Sequence, residues 1–272
     1  MPFFKTATDR SLYYEYYPSS GPVTVLIHGW GLNSRAWDPT IDFLTGKGHA
    51  VMAFDQRACG QSDKDFPSAS IEDGANDLLA LINALAIDEV ILNGWSQGGA
   101  VAVEAAALLG RACKALVLTC AATPRYTDAE DLTIGITGDV LAGMAASFRR
   151  DKVATALAVA TGCFTANRSR EDVAAVQRMF LQTGPMAIRT LEALGPLDQR
   201  TIMRNLHLPT LIMAGENDSV TPLIIAQTSH ELIAQSRLVV LPECAHVPMI
   251  ECYDQYHSEL SNFIVEIKGG RP

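Results

Sequence analysis

The sequence predicts an α/β fold: a mostly parallel, eight-stranded sheet with helices on both faces and an inserted all-helical lid. Three observations predict it. Short apolar runs rich in β-branched residues alternate with helical segments through about residue 122. The alternation then stops, and residues 123–206 show helical periodicity only. Strand-like runs and a closing amphipathic helix return in residues 207–272. We therefore expect residues 1–122 and 207–272 to form the core and residues 123–206 to fold over the strand ends.

The predicted strands are short apolar runs bounded by turn residues. We expect the first two to form a hairpin that turns at Asp9 and Arg10. In chain order, the predicted strands cover residues 3–7, 12–17, 23–27, 50–54, 90–93, 115–119, 210–214 and 238–241.

The predicted core helices follow the strands. The first begins at a capping-box pattern formed by Ser70 and Asp73. Because strands alternate with helices, we expect a parallel sheet that is covered on both faces. These helices are predicted over residues 70–85, 100–109 and 254–267.

Composition narrows the function classes. The chain has 272 residues, 48% of them hydrophobic, and a formal net charge of −9. The acidic balance and the lack of a basic stripe argue against nucleic acid or an anionic membrane surface as partner. No apolar run approaches the roughly 20 residues that span a bilayer, and residues 1–5 lack a signal-peptide pattern. We expect a cytoplasmic protein, monomeric or homodimeric, with a small-molecule substrate.

The six cysteines are scattered, with no CxxC spacing and no histidine cluster beside them. This pattern disfavours a zinc site, and we expect neither a metal nor an organic cofactor. Buried thiols in a reducing compartment are favoured over a set of disulfides.

A Gly-x-Ser-x-Gly motif, Gly94 to Gly98, lies between a predicted strand and a predicted helix. A strand, a tight turn and a helix place the hydroxyl of Ser96 on a sharp bend above the sheet edge. The flanking glycines relieve clashes there, and the amides that begin the helix favour negative charge. The motif predicts a catalytic nucleophile and disfavours an ordinary turn serine.

A serine nucleophile needs a base and an acid that holds the base. Asp218 follows the strand predicted at 210–214, and His246 follows the strand predicted at 238–241. Both therefore lie at the sheet edge where Ser96 lies, in the order serine, acid, histidine that this chemistry shows on an α/β sheet. We predict a triad of Ser96, Asp218 and His246.

Other residues compete for two of these roles. Glu216 lies just beyond the same strand as Asp218, and Asp218 itself has the alternative of a solvated loop acid. His28 precedes the serine, which breaks the expected order, so we expect it to hydrogen-bond within its own loop. The remaining rival bases lie in predicted helices or connectors, and they are His49, His207, His230 and His257.

Two backbone amides are expected to stabilise an oxyanion. One is the N–H of Gln97, the residue after the nucleophile. The other is the N–H of Trp30, in the loop after the strand at 23–27, where Gly29 and Gly31 allow a close approach to substrate.

The motifs spread over nearly the whole chain, and they comprise His28 to Gly31, Asp55 to Ser62, Gly94 to Gly98, Gly215 to Asp218, and Ala245 to Pro248. With these segments the chain resembles the α/β-hydrolase superfamily, in the branch with a helical lid. The resemblance implies that Asp55 and Arg57 brace loops near the site. Alanine stands at positions 58 and 245, where the family usually has glycine, which puts loop geometry and substrate in doubt more than catalysis.

Parts of the chain are similar to carboxylesterases, including the methyl esterase of pimeloyl synthesis, and to cofactor-free haloperoxidases or perhydrolases and enol-lactonases. We therefore expect serine-dependent hydrolysis of a carboxylic ester or lactone. Three alternatives stay open: perhydrolysis, carbon–carbon bond hydrolysis, and a ligand receptor with a retained triad.

The lid is expected to set substrate choice. Arginines at 149, 150, 168 and 170 would suit an acidic substrate or an acyl carrier protein, although a solvated helix face is favoured. The predicted substrate-pocket residues are Trp95, Met144, Phe148, Phe164, Phe180 and Val247.

Overall fold

A computed structural model describes residues 2–269, so Met1 and residues 270–272 of the predicted core lie outside the described part. Its eight strands form one sheet, as predicted. They are β1 (Phe3–Lys5), β2 (Ser11–Tyr17), β3 (Val23–Ile27), β4 (Val51–Phe54), β5 (Val90–Trp95), β6 (Cys113–Thr119), β7 (Thr210–Gly215) and β8 (Ser236–Leu241).

The sheet has the order β1-β2-β4-β3-β5-β6-β7-β8. β1 pairs with β2 and β2 with β4 in antiparallel fashion, and every later pairing is parallel. The carboxyl ends of β3 to β8 therefore share one edge of the sheet, and the loops that follow these strands are brought together there. The predicted mostly parallel sheet is confirmed.

The helices of residues 2–269 include all three that were predicted in the core. The sequence patterns did not predict α1, α9 and α10. The helices are α1 (Asp38–Gly46), α2 (Ile71–Ala84), α3 (Gln97–Leu109), α4 (Gly138–Arg150), α5 (Lys152–Gly162), α6 (Arg170–Leu181), α7 (Met186–Glu192), α8 (Arg200–Arg204), α9 (Leu223–Leu232), α10 (Pro248–Glu251) and α11 (Tyr253–Lys268). None of these is both long enough and apolar enough to cross a membrane.

The centre of the sheet is fully buried. Every residue of β3, β4 and β5 is buried. Because successive residues of a strand point to opposite faces, this burial shows that both faces are covered. α1 packs with α11, and α2 packs with α3. All six cysteines are unpaired, and all but Cys252 are buried.

The segment between β6 and β7 carries helices α4 to α8. The prediction of helix alone is wrong for its first part, since bridges join Thr127 to Ile136 and Ala129 to Leu132. The Asp128 carboxylate accepts the N–H groups of residues 134 and 135, at 3.0 and 2.9 Å. This side-chain turn competes with helix formation and explains the difference.

Asp55, just after β4, braces two loops at the sheet edge. Its Oδ1 accepts the Ser34 N–H at 2.7 Å, in the loop after β3, and its Oδ2 accepts the Gln61 N–H at 2.6 Å. The Ser62 hydroxyl donates to its carbonyl at 2.5 Å. Asp55 is 1% exposed, so these contacts are shielded from water and hold the loops rigidly.

Replacing Asp55 should therefore destabilise the fold. Asp55→Asn leaves an amide facing one of the two N–H donors, and we expect a loss of about 1–3 kcal/mol in the free energy of unfolding. The exposed pair of Asp65 with Arg10, at 3.1 Å, supplies the control, and Asp65→Asn should cost less than about 1 kcal/mol. Urea unfolding measures both, and equal effects would contradict the bracing role.

Candidate active site

Ser96 lies on a strained turn between β5 and α3. Its φ is 55° and its ψ is −123°, in the left-handed region that side chains rarely adopt. A Cβ on Gly94 would overlap the Gly98 carbonyl, and one on Gly98 would overlap the Ile27 carbonyl. The turn is held by the Ser96 N–H, which donates to the Thr119 carbonyl at 3.0 Å. The local sequence thus forces the serine onto a sharp bend.

Asp218 and His246 meet at the ends of β7 and β8. The Nδ1–H of His246 donates to Oδ2 of Asp218 at 2.8 Å, and both side chains are buried. Oδ1 of Asp218 accepts the N–H groups of Val220 and Thr221 at 2.8 and 2.9 Å. Burial alone would raise the pKa of Asp218, but the facing imidazole and the hydrogen bonds hold it below its ordinary value. The carboxylate therefore stays ionised and orients the ring.

His246 and Ser96 face one cavity, which both of them line. The Trp95 indole contacts His246 in two ways. Its N–H donates to the His246 carbonyl at 2.7 Å, and the centroids of the indole and imidazole rings lie 5.6 Å apart. Among residues 2–269, Nδ1 of His246 has hydrogen-bond partners in Asp218 and Thr221. No hydrogen bond there joins the Ser96 hydroxyl to the His246 ring. The proton transfer between these two groups stays a prediction.

The N–H groups of Trp30 and Gln97 are the predicted oxyanion donors. A Cβ on Gly29 would lie 3.1 Å from the Cβ of Ser96, so the loop after β3 passes directly over the serine. Trp30 follows Gly29 in that loop, and Gln97, the first residue of α3, follows Ser96. In the described part of the chain neither amide has a protein acceptor. Both donors are thus available to negative charge that develops near Ser96.

The cavity over Ser96 has a volume of about 40 Å³. Of the predicted pocket residues, Trp95, Met144 and Phe180 line it. Phe148 packs against Trp30 and does not line the cavity. Phe164 and Val247 are also buried without lining it. The other lining residues, besides Ser96 and His246, are Gly29, Trp30, Leu32, Ala122, Tyr126, Val159, Cys163, Leu191, Leu194 and Val220.

The competing acid and base candidates have other contacts. Oε2 of Glu216 accepts the N–H of Glu243 at 3.2 Å. His28 is fully buried, with Nε2 accepting the Gln56 N–H at 2.9 Å and Nδ1 donating to the Gly29 carbonyl at 2.7 Å. Burial lowers the pKa of His28. None of the rival histidines is among the described residues that line the cavity, namely His28, His49, His207, His230 and His257.

Thr221 is a site residue that the sequence patterns missed. Its hydroxyl lies 2.8 Å from Oδ2 of Asp218, 3.0 Å from the Cys120 carbonyl and 3.3 Å from Nδ1 of His246. It therefore fixes the carboxylate against the imidazole. A threonine three positions after the predicted acid is the only signal for it in the sequence.

Glu251 was also missed, and it ties the lid to the histidine loop. Its Oε2 accepts the Ala245 N–H at 3.1 Å, and its Oε1 accepts the Thr165 N–H at 2.8 Å. The His246 N–H donates to the Cys163 carbonyl at 3.0 Å. The lid segment 163–165 thus helps to set the position of the base.

The two departures from the family pattern differ in backbone conformation. Ala58 has a φ of 66°, so it occupies a conformation that glycine adopts at lower cost. Ala245 is absent from the residues of 2–269 with positive φ, so an alanine there brings no such strain. Only Ala58 therefore carries a conformational penalty.

Cys120, Asp218 and His246 each place a potential ligand atom within 4.8 Å of the others. The imidazole Nδ1, however, is engaged by the carboxylate, and burial raises the pKa of the Cys120 thiol well above its ordinary value. A protonated thiol is a poor metal ligand, so the donor set fits an acid–base pair with a neutral neighbour. The predicted lack of a metal or cofactor stays a prediction.

Removing the Thr221 hydroxyl should weaken the nucleophile. Thr221→Val deletes hydrogen bonds to a charged group, and we expect phosphonylation of Ser96 by a fluorophosphonate to slow about tenfold. The pKa of Asp218 should rise, because the Thr221 hydroxyl is one of the groups that stabilise the ionised carboxylate, and the pH–rate profile should change. Thr221→Ser keeps the hydroxyl and serves as the control; mass spectrometry follows the modification. Identical profiles for the two variants would exclude the positioning role.

Comparison with known proteins places this geometry in a family. A family model described as alpha/beta hydrolase fold matches residues 22–252. The chain is 29% identical over 259 residues to a pimeloyl-[acyl-carrier protein] methyl ester esterase of Aliivibrio salmonicida, with 93% of this chain and 96% of the relative covered. It is 28% identical over 274 residues to a non-heme haloperoxidase of Rhodococcus erythropolis, with 97% and 99% covered.

Among solved structures, an esterase from Exiguobacterium antarcticum has a TM-score of 0.93 at 24% identity, covering 96% of this chain and 98% of that chain. This similarity supports the same fold. The family resemblance predicted from the motifs is confirmed, because the family model spans most of the sequence. The chain belongs to the α/β-hydrolase fold family.

Proposed function

We propose that this protein is a serine hydrolase that cleaves a small carboxylic ester or lactone through an acyl-enzyme intermediate. One observation carries the proposal. His246, hydrogen-bonded to Asp218, lines the same cavity as Ser96, which lies on a strained turn directly before the N–H of Gln97. This arrangement suits attack on a carbonyl carbon, because it joins a nucleophile, a base and oxyanion donors.

In the acylation step, Nε2 of His246 takes the proton of the Ser96 hydroxyl as its oxygen attacks the substrate carbonyl. The Asp218 carboxylate stabilises the imidazolium through Nδ1. The amides of Trp30 and Gln97 hold the oxyanion. When the tetrahedral intermediate collapses, the imidazolium protonates the departing alcohol oxygen.

In the deacylation step, His246 removes a proton from water, which attacks the acyl carbon on Ser96. The tetrahedral intermediate again places its oxyanion on the two amides. Collapse returns the proton to the serine oxygen and releases the carboxylic acid.

The apolar lid favours an ester or lactone over a carbon–carbon bond substrate. The lid residues that line the cavity are Tyr126, Met144, Val159, Cys163, Phe180, Leu191 and Leu194; none of them is charged, and only Tyr126 carries a side-chain oxygen. A cavity needs roughly 10–15 Å³ to hold one water molecule. The cavity at Ser96, of about 40 Å³, therefore has room for a short acyl group. We therefore propose that only the reacting carbonyl and the few carbons next to it lie in this cavity.

A cytoplasmic location and a monomeric or homodimeric state belong to the same proposal. The six unpaired thiols support a reducing compartment.

Removal of the nucleophile tests the reaction. Ser96→Ala should lower kcat for p-nitrophenyl acetate more than about a thousandfold, since the attacking oxygen is gone. Release of p-nitrophenol at 405 nm follows the reaction, and Ser19→Ala, at an exposed serine, is the control. Retention of most activity by Ser96→Ala would refute the assignment.

Loss of the Gln97 amide tests the oxyanion site. Gln97 is the first residue of α3, a position where helices accept proline. Gln97→Pro should lower kcat about 10²- to 10³-fold. Gln97→Ala keeps the N–H and removes only the side chain, whose amide donates to the Thr190 carbonyl at 2.6 Å. A similar kcat for the two variants, with thermal unfolding midpoints showing both folded, would contradict the role.

A further inference from the structure

A second cavity, of about 320 Å³, lies between Trp30 and residues of the lid. Phe148 and Ile188 contribute to its apolar wall. We name it the lysine cavity because Lys152, at the start of α5, lies on its lining. Its lining residues are Trp30, Phe148, Arg149, Lys152, Thr183, Gly184, Pro185, Ala187 and Ile188.

Trp30 lines both the lysine cavity and the cavity at Ser96. Its ring lies 4.7 Å from that of Phe148 and 5.5 Å from that of Phe180. The indole N–H donates to the Ala187 carbonyl at 2.6 Å. The position of this one ring therefore shapes both cavities.

The charge of the lysine cavity is positive. Lys152 donates to the carbonyls of Leu181 and Thr183, at 3.1 and 2.6 Å, and an ammonium has three hydrogens, so one remains for a ligand. The guanidinium of Arg149 pairs with Glu192 at 2.7 Å. Among the described lining residues none is acidic. Lys152 thus supplies a cationic charge that no carboxylate of the lining offsets.

We propose that the lysine cavity binds the carboxylate-bearing end of the substrate, with its apolar body against Trp30, Phe148 and Ile188 and its carboxylate on Lys152. This inference rests on the proposed ester hydrolysis and names its substrate class: an ester whose acyl or alcohol portion ends in an anion. The catalytic cavity of about 40 Å³ holds only the reacting group, so the larger cavity supplies the remaining room.

Matched substrates test the preference. Mono-p-nitrophenyl esters of butanedioic, hexanedioic and octanedioic acid carry a free carboxylate, and the p-nitrophenyl esters of butanoic, hexanoic and octanoic acid do not. Lys152→Met should raise KM about tenfold for at least one acidic ester and leave KM for its uncharged counterpart within twofold. Arg150→Met removes a neighbouring exposed charge that does not line the cavity, and it should change neither.

Equal changes for charged and uncharged esters, or no change for either, would overturn the proposal. So would the same selective effect in Arg150→Met, because it would indicate long-range attraction by lid charges rather than a contact with Lys152.

Direct binding separates this inference from the proposed reaction. Calorimetry of hexanoate with Ser96→Ala protein requires no turnover. We expect binding that weakens at least fivefold when Lys152→Met is added, stays unchanged when Arg150→Met is added, and is lost for hexanamide. This result supports the site even if no ester is hydrolysed. Undetectable hexanoate binding, or equal affinity in all three proteins, would overturn the site even if esters are hydrolysed.

Discussion

The left-handed backbone of Ser96 is the constraint on which the rest of the site depends. A serine in this conformation costs on the order of 1–3 kcal/mol, and the surrounding structure has to offset that cost. It does so by hydrogen bonds to the main chain of Ser96 and by packing so tight that Gly94 and Gly98 admit no side chain. Because the hydroxyl and the first amide of α3 leave the same turn, the proposed nucleophile and one proposed oxyanion donor are positioned together. Gly29 lets the second donor, Trp30, approach from the neighbouring strand.

The lid belongs to the site as much as the sheet does. Glu251 joins the histidine loop to lid segment 163–165, and Gln97 joins α3 to the lid at Thr190. A movement of the lid therefore acts on the base and on the oxyanion turn. Trp30, in the loop after β3, lines both the small cavity at Ser96 and the larger cavity that contains Lys152. In the proposed binding mode, size selects the reacting group in the first cavity, and charge selects the remote end of the substrate in the second.

The sequence was sufficient to predict those site residues that directly follow strands of the sheet. The order of Ser96, Asp218 and His246 and the parallel sheet were predictable, because parallel strands bring their carboxyl ends to one edge. Contacts between loops that are distant in the sequence were not predictable, so only the structure identifies Thr221 and Glu251 as site residues. The lining of the cavity was predicted only in part, because a helical pattern does not reveal which buried side chains of a helix reach the cavity. Phe148, in α4, is buried but does not line it. The stretch before α4 was mispredicted because a single aspartate, Asp128, holds a turn there.

The central claim is that Ser96, His246 and the amides of Trp30 and Gln97 converge on one reacting carbon. A crystal structure of the enzyme phosphonylated on Ser96 tests it most directly, because the adduct imitates the tetrahedral intermediate. The account predicts one phosphonyl oxygen about 2.7–3.1 Å from both amide nitrogens. It also predicts Nε2 of His246 within hydrogen-bonding distance of the serine oxygen. An adduct whose oxygens point away from these amides, or with the imidazole turned from Ser96, would contradict the account.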